Sequence, residues 1–384
     1  MKVFGRLYDT MRPTVVEVEE GVIKSVTPAE GRPEGAIGGD ELILAPGFID
    51  IQVNGFAGVS LNSDDITPEG VRKVVESLFP TGVTAFCPTV TTGSRERMMK
   101  SIKAIVEACK EDEMISNYVI CIHVEGPYIS PEDGPRGAHP LEHVRDPDWD
   151  EFRAFQDAAE GMIGYVTLAP ERPGAIEFIE KLADEGILPA IGHTAAETKD
   201  IEAAVEAGAR LSTHLGNGAH ARIRRHPNYI WDQLAEDRLY ASIIPDGHHL
   251  PPNVVKCFVR CKGKGKIVGV TDAVFAAGMP PGIYGNVEVT EDGKVKLRGT
   301  EYLAGSALRM DRGVGNLVRF AGVNLEDAVR MCSSTPARLL GVDDRMGEIA
   351  PGKWANMVLF EWDGDKCELK VRFTIVRGKV VYSG

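Results

Sequence analysis

The chain reads as an α/β protein, a (β/α)8 TIM barrel carrying a small β-sandwich domain assembled from both chain ends. Three observations predict this. Eight short apolar runs rich in Val and Ile alternate with amphipathic stretches through the middle of the chain. Such runs suit strands buried on both faces of a parallel sheet, and eight of them close into a barrel more naturally than they lie open. Antiparallel-type strands joined by glycine turns occupy both ends. The length, 384 residues, accommodates a full barrel and a modest accessory unit.

The first forty-odd residues contribute the β-like runs VFGRLYD, TVVEVEEG and VIKSVTP, and the chain closes on ANMVLFEWDG, CELKVRFTIVRG and KVVYSG. Residues 1–46 and 345–384 are therefore assigned to the sandwich and 47–344 to the barrel. The barrel strands are read at GFIDIQVNG, VTAFCPTV, NYVICIHVEG, MIGYVTLAP, ILPAIGH, ARLSTHL, LYASIIPDG and KIVGVTDA. Between most of them lie stretches with apolar residues at helical spacing, such as TPEGVRKVVESLFPTG and RERMMKSIKAIVEACKE. Residues 278–304 break the rhythm with glycines and short strands, an insertion after strand eight. A final helical pair, DRGVGNLVRFAG and NLEDAVRMCSSTPARLLG, closes the barrel.

Composition narrows the function classes. A net charge of -13 argues against nucleic acid, whose recognition needs a basic face, yet leaves room for a small phosphorylated ligand held by a few arginines. Seven cysteines without a C-x-x-C pair read as reduced thiols. The amino terminus lacks the apolar core of a signal peptide, and no window approaches the ~18 apolar residues of a membrane span. A cytoplasmic protein that touches no membrane is expected. All nine histidines fall between His123 and His249.

Chemistry in such a barrel sits at the carboxyl ends of the strands. Those ends carry Gln52 and Asn54, then Glu125, His193, His214, His249 and Asp272. A purely structural face would end its buried apolar strands in inert residues. Each side chain alone could instead cap a helix or satisfy a loop. Glu125, His193 and His214, at successive strand ends, form the two-imidazole, one-carboxylate set that suits one divalent ion with a position open for water. Zn²⁺ fits best, and Fe²⁺, Co²⁺ or Mn²⁺ would tolerate the same ligands. Asp272 could take a proton from that water and return it to a leaving amine, although an aspartate there also suits an N-cap. Gln52 and Asn54 stand where an H-x-H pair would bring a second metal; amides bind such ions poorly, so they read as a vestigial second metal site. His139 lies in the loop SPEDGPRGAHP, within reach of a substrate or merely in solvent. Arg222, Arg224 and Arg225 form a basic knot able to grip phosphate through guanidinium forks, or a solvated surface.

The motifs IDIQVNG, HVEGPYISPEDGPRGAHP, IGHTAAE, STHLGNG, IIPDGHH, GVTDA and LAGSALRM appear in order. Together they resemble those of the N-acetylglucosamine-6-phosphate deacetylase family of the amidohydrolase superfamily, over essentially the whole chain. The resemblance implies that Glu125, His193 and His214 hold the metal and that Asp272 is the acid–base residue. It places Ala138, His139, Asn217, Gly218 and His249 against the sugar, with Leu303, Ala304 and Gly305 lining the pocket through backbone groups. It implies a homodimer in which Arg225 reaches a phosphate across the interface. Two departures fall on substrate-facing loops: Gly216 and Ala219 replace an aromatic residue and a methionine, and HPNYIW follows Arg225 where the family commonly reads E-P-G.

The expected reaction is hydrolysis of the acetamide of N-acetyl-D-glucosamine 6-phosphate to D-glucosamine 6-phosphate and acetate. A donor such as His139 or His249 would steady the oxyanion. Alternatives are an N-acetylgalactosamine 6-phosphate or unphosphorylated N-acetylhexosamine substrate, a cyclic-imide or dipeptide hydrolase, and a non-catalytic scaffold. The missing strand-one H-x-H argues against the imide and dipeptide enzymes; the complete ligand set argues against the scaffold.

Overall fold

The computed structural model describes residues 1–300 and 302–384. The chain begins with β1 (Lys2–Leu7), β2 (Pro13–Glu19), β3 (Val22–Pro28) and β4 (Ile37–Pro46). It then enters the barrel through β5 (Phe48–Val53), followed by a small hairpin, β6 (Gly55–Phe56) and β7 (Val59–Ser60). The remaining barrel strands are β8 (Val83–Thr91), β9 (Ile122–Glu125), β10 (Ile163–Leu168), β11 (Leu188–Ile191), β12 (Leu211–Ser212), β13 (Tyr240–Ile243) and β14 (Ile267–Gly269). Residues 278–304 hold an antiparallel sheet of β15 (Gly282–Tyr284), β16 (Val287–Val289) and β17 (Val295–Leu297). The chain finishes on β18 (Met357–Asp363), β19 (Glu368–Val376) and β20 (Lys379–Ser383).

The eight barrel strands pair in parallel in the order β14-β13-β12-β11-β10-β9-β8-β5. A bridge between Val53 and Ala273 brings the first and eighth strands together, reinforced by Asp272 N donating to Gln52 O at 3.0 Å and Asn54 N to Ala273 O at 2.8 Å. All six residues of β5 and the four of β9 are buried, as their apolar runs required. The helix Pro68–Leu78 illustrates the outer layer: Thr67 caps it by accepting from Gly70 N, and Val71, Val74, Val75 and Leu78 form the buried stripe. The expected final pair is three helices, Met310–Ala321, Leu325–Met331 and Ser334–Leu339.

The barrel interior is layered. Ile49, Ile51, Ala85, Cys87, Tyr165, Ala190 and Leu211 belong to an apolar cluster. A hydrogen-bonded chain adjoins it: His123 Nδ1 lies 3.2 Å from Thr89 Oγ1, its Nε2 lies 2.8 Å from Thr167 Oγ1, and Thr167 Oγ1 lies 2.8 Å from Thr213 Oγ1. The His123 ring stacks on Tyr165 at 3.8 Å, and burial pushes its pKa down to about 3, so it is a neutral packing element. Side chains alternate along a strand, so His123 and Glu125 share one side of β9.

The two ends of the chain share one seven-stranded sheet, ordered β20-β19-β18-β4-β1-β2-β3. One cluster, including Val3, Val16, Leu44, Met357, Leu359 and Ile375, joins strands that are not neighbours in the sheet, which curls around its own core. Alternate residues of β4, β18 and β19, among them Ile43, Val358, Phe360 and Val371, pack into the main barrel core.

Candidate active site

The buried residues Glu125, His193 and His214 meet at the carboxyl ends of β9, β11 and β12. Glu125 Oε1 lies 3.2 Å from His193 Nε2 and 2.9 Å from His214 Nε2, and the two nitrogens are 3.1 Å apart. Ligand atoms ~2.0–2.1 Å from one tetrahedral ion stand about 3.3 Å apart, so this triangle fits a single metal. His193, His214 and Asp272 adopt left-handed φ values of 49°, 30° and 51°. Such conformations are strained for residues with a side chain and concentrate at functional sites. His193 Nδ1 donates to the Pro135 carbonyl at 2.8 Å, which leaves Nε2 as the acceptor. Among the described residues, Glu125, His193 and His214 form the group of three or more acidic, histidine or cysteine side chains able to hold an ion.

Electrostatics agree with the geometry. Burial pushes the Glu125 carboxyl up, but the imidazoles of His193 and His214 beside it outweigh that and hold the group well below the usual carboxylate range. Burial pushes His214 down, and the adjacent Glu125 raises it above its ordinary value. The cluster thus favours positive charge at its centre, which a proton supplies poorly and a divalent cation supplies well.

Asp272 follows β14 and faces the same cavity. Its carboxyl is pushed up to about 6, by burial first and then by the charge of Glu125. Asn54 Nδ2 donates to Asp272 Oδ1 at 2.6 Å; Gln52 Nε2 donates to the same oxygen at 3.2 Å and to Glu125 Oε1 at 3.0 Å. The strand-one amides therefore turn their nitrogens, which cannot ligate a metal, toward the two carboxylates.

The cavity above these groups encloses about 500 Å³. Of the residues singled out from sequence, Ala138, His139, Asn217, Gly218, His249, Leu303, Ala304 and Gly305 line it. His139 Nδ1 lies 2.7 Å from Thr92 Oγ1, and its ring stands 4.3 Å from that of His193. Burial, then the charge of His193, pushes the His139 pKa down to about 3, so the ring is neutral. His249 Nδ1 donates to Asp246 Oδ2 at 2.6 Å, while Asp246 Oδ1 accepts the backbone N–H groups of His248 and His249. Arg225 is not brought to this cavity: it lies exposed, and Arg222 and Arg224 border a separate cavity beside Lys199. Neither lysine nor arginine occurs among the described residues that line the site.

Sequence reasoning missed several contributors. Asp246 sits three residues before His249 in IIPDGHH, a spacing that permits an Asp–His contact within one turn and could have signalled it. Thr92 carried no such signal. Asn286, Val287 and Leu297, from the 278–304 sheet, wall the cavity and were read only as insertion.

A family model described as the amidohydrolase family matches residues 43–381. The chain is 33% identical over 348 residues to an N-acetylgalactosamine-6-phosphate deacetylase of Escherichia coli O157:H7, covering 90% of each protein. It is 32% identical over 374 residues to the N-acetylglucosamine-6-phosphate deacetylase of Bacillus subtilis (strain 168), covering 96% of this chain and 92% of the relative. The fold is similar to the solved structure of a mutant N-acetyl-D-glucosamine-6-phosphate deacetylase from Mycobacterium smegmatis in complex with N-acetyl-D-glucosamine-6-phosphate. The TM-score is 0.89 at 27% identity, over 100% of this chain and 99% of that one.

Proposed function

The chain belongs to the amidohydrolase family, and within it to the N-acetylglucosamine-6-phosphate deacetylases; on that premise we propose how its residues divide the hydrolysis of N-acetyl-D-glucosamine 6-phosphate to D-glucosamine 6-phosphate and acetate. The observation that carries the reading is the triangle of Glu125 Oε1, His193 Nε2 and His214 Nε2 opening onto the cavity that Asp272 faces.

Glu125, His193 and His214 would hold one divalent ion per chain, zinc by preference. When bound, such an ion polarises an acetyl carbonyl and acidifies water. The chain's own groups do the rest. The Asp272 carboxylate accepts a proton from the attacking water as the new C–O bond forms at the acetyl carbon. It then delivers that proton to the sugar nitrogen as the C–N bond breaks, which turns a poor leaving group into a neutral amine. A carboxyl pushed up to about 6 can perform both steps near neutral pH. His139, neutral and half-buried, supplies an N–H donor for the carbonyl oxygen as it gains charge, while His249, whose Nδ1–H is taken by Asp246, offers Nε2 as an acceptor to a sugar hydroxyl. Ala138, Asn217, Gly218 and the backbone of Leu303, Ala304 and Gly305 hold the sugar.

On the family resemblance, the 6-phosphate is assigned to Arg225 of a second subunit in a homodimer, and the exposure of Arg225 away from its own cavity is compatible with that assignment. A cytoplasmic location belongs to the same reading, supported by seven free cysteines; among the described residues, no helix is long and apolar enough to cross a membrane. One observation favours a second reading. With no lysine or arginine on the described cavity wall, the site also suits an unphosphorylated N-acetylhexosamine. Steady-state kinetics of the zinc-loaded enzyme on N-acetyl-D-glucosamine, its 6-phosphate and the galactosamine epimer decide between them. A kcat/KM for the 6-phosphate at least tenfold above that for the free sugar is expected; equal values would remove the phosphate and Arg225 from the reading.

A further inference from the structure

Two buried polar side chains of the site have no part in the chemistry described above. Gln52 is 1% exposed and Asn54 8% exposed, both at the end of the first barrel strand. Burying an amide is costly unless its hydrogens are used. Here both amides spend theirs on one atom, Oδ1 of Asp272, at 3.2 and 2.6 Å. The second contact of Gln52, to Glu125 Oε1 at 3.0 Å, places an N–H between two carboxylates that would otherwise repel. Asn54 keeps this orientation although its own Oδ1 is buried and has no partner among the described residues. The flipped amide would set oxygen against a carboxylate, so donation to Asp272 outweighs the unmet acceptor. Nothing among the described residues donates to Asp272 Oδ2, and Asp272 lines the cavity.

We propose that Gln52 and Asn54 are positioning residues for Asp272: their N–H groups occupy Oδ1, stop the carboxylate from rotating, and leave Oδ2 as the oxygen that takes the proton from water and returns it to the sugar nitrogen. This rests on the reading of Asp272 as the acid–base residue. It also gives the strand-one amides a function in place of a metal site lost.

The test compares metal-loaded wild type with Gln52→Met, Asn54→Ala and Asp272→Asn, reading kcat, KM, bound metal and the pH profile of kcat/KM. Orienting partners of this kind are worth roughly 10–100-fold. Each amide variant should lose about that factor in kcat, keep KM within about twofold, and retain one metal per chain. Its acid limb should move to higher pH, because fewer donors favour the carboxylate anion. Unchanged kcat in both amide variants would overturn the proposal. So would a kcat loss matched by metal loss, which would make the amides guards of Glu125 alone. Should Asn54→Ala fail to fold, Asn54→Asp replaces the donor with an acceptor of equal size and predicts a loss at least as large. If Asp272→Asn itself turned over at the wild-type rate, the acid–base reading beneath would fail instead, and that result is distinct from either.

Discussion

The Nε2 atoms of His193 and His214 lie 3.1 Å apart, each within 3.2 Å of the same Glu125 oxygen. Three electron-rich atoms packed this closely in a buried setting need a shared positive charge. Prolonged treatment with a strong chelator should therefore remove one equivalent of metal per chain, abolish deacetylation and lower the melting temperature. Adding back Zn²⁺ should restore all three. Metal analysis and a thermal melt on the same samples check this; a chelated protein with full activity would refute the metal assignment.

Asp272→Asn should fold, bind metal and lose about 10²–10⁴-fold in kcat, the usual worth of a positioned proton-transfer group. Asparagine is the right size and still accepts from Asn54 and Gln52, but it can take no proton. Turnover within tenfold of wild type would take Asp272 out of the mechanism.

Gly218 has a left-handed φ of 57°, and a Cβ there would stand 2.7 Å from His193 Nδ1. The ring cannot retreat freely, because the same nitrogen donates to Pro135. Gly218→Ala should consequently displace His193 and loosen the metal. At limiting zinc its activity should fall at least tenfold, the size of effect seen when the orientation of a ligand is disturbed, and excess zinc should recover part of it. Identical zinc titrations for variant and wild type would show that the loop yields at no cost.

These predictions draw unequally on what the sequence makes legible. The barrel was readable because strands such as β5 and β9 are buried along their whole length, so nothing interrupts their apolar runs. Glu125, His193, His214 and Asp272 stood out because, although each alone could be a cap or a loop contact, such groups at the ends of several buried apolar runs are not explained that way together. The helix Trp149–Ala158 went unread: its buried side is little more than Phe152 and Phe155, too short a pattern to display a period. The 278–304 sheet was read as an interruption, yet its Val287 and Leu297 wall the cavity. The direction of the Gln52 and Asn54 amides was out of reach, since residue type says which atoms an amide carries and not which way they point.

Asp50 offers a prediction about stability. It is fully buried in β5; Oδ1 accepts from Gln52 N and Thr271 N, and Oδ2 accepts from Thr271 Oγ1 at 2.5 Å. Burial dominates and pushes its pKa up to about 7, against the opposing hydrogen bonds of Thr271. In the unfolded chain the same carboxyl titrates near 3.9. Below about pH 4 it is protonated in both states and its ionisation costs the fold nothing. Between about pH 4 and 7 the unfolded chain releases the proton and the folded one retains it, so stability falls as pH rises, by up to about 4 kcal/mol once pH exceeds 7. Asp50→Asn cannot ionise, and its NH₂ can donate to Thr271 Oγ1 once that hydroxyl turns. Relative to wild type, the variant should gain stability from pH 5 to about pH 7 and level off toward pH 8 in denaturant titrations at saturating zinc. The difference between the two proteins isolates this one group from everything else that titrates, the metal ligands included. A difference that stayed flat across that range would mean that Asp50 is ionised throughout, held by Thr271 against its burial.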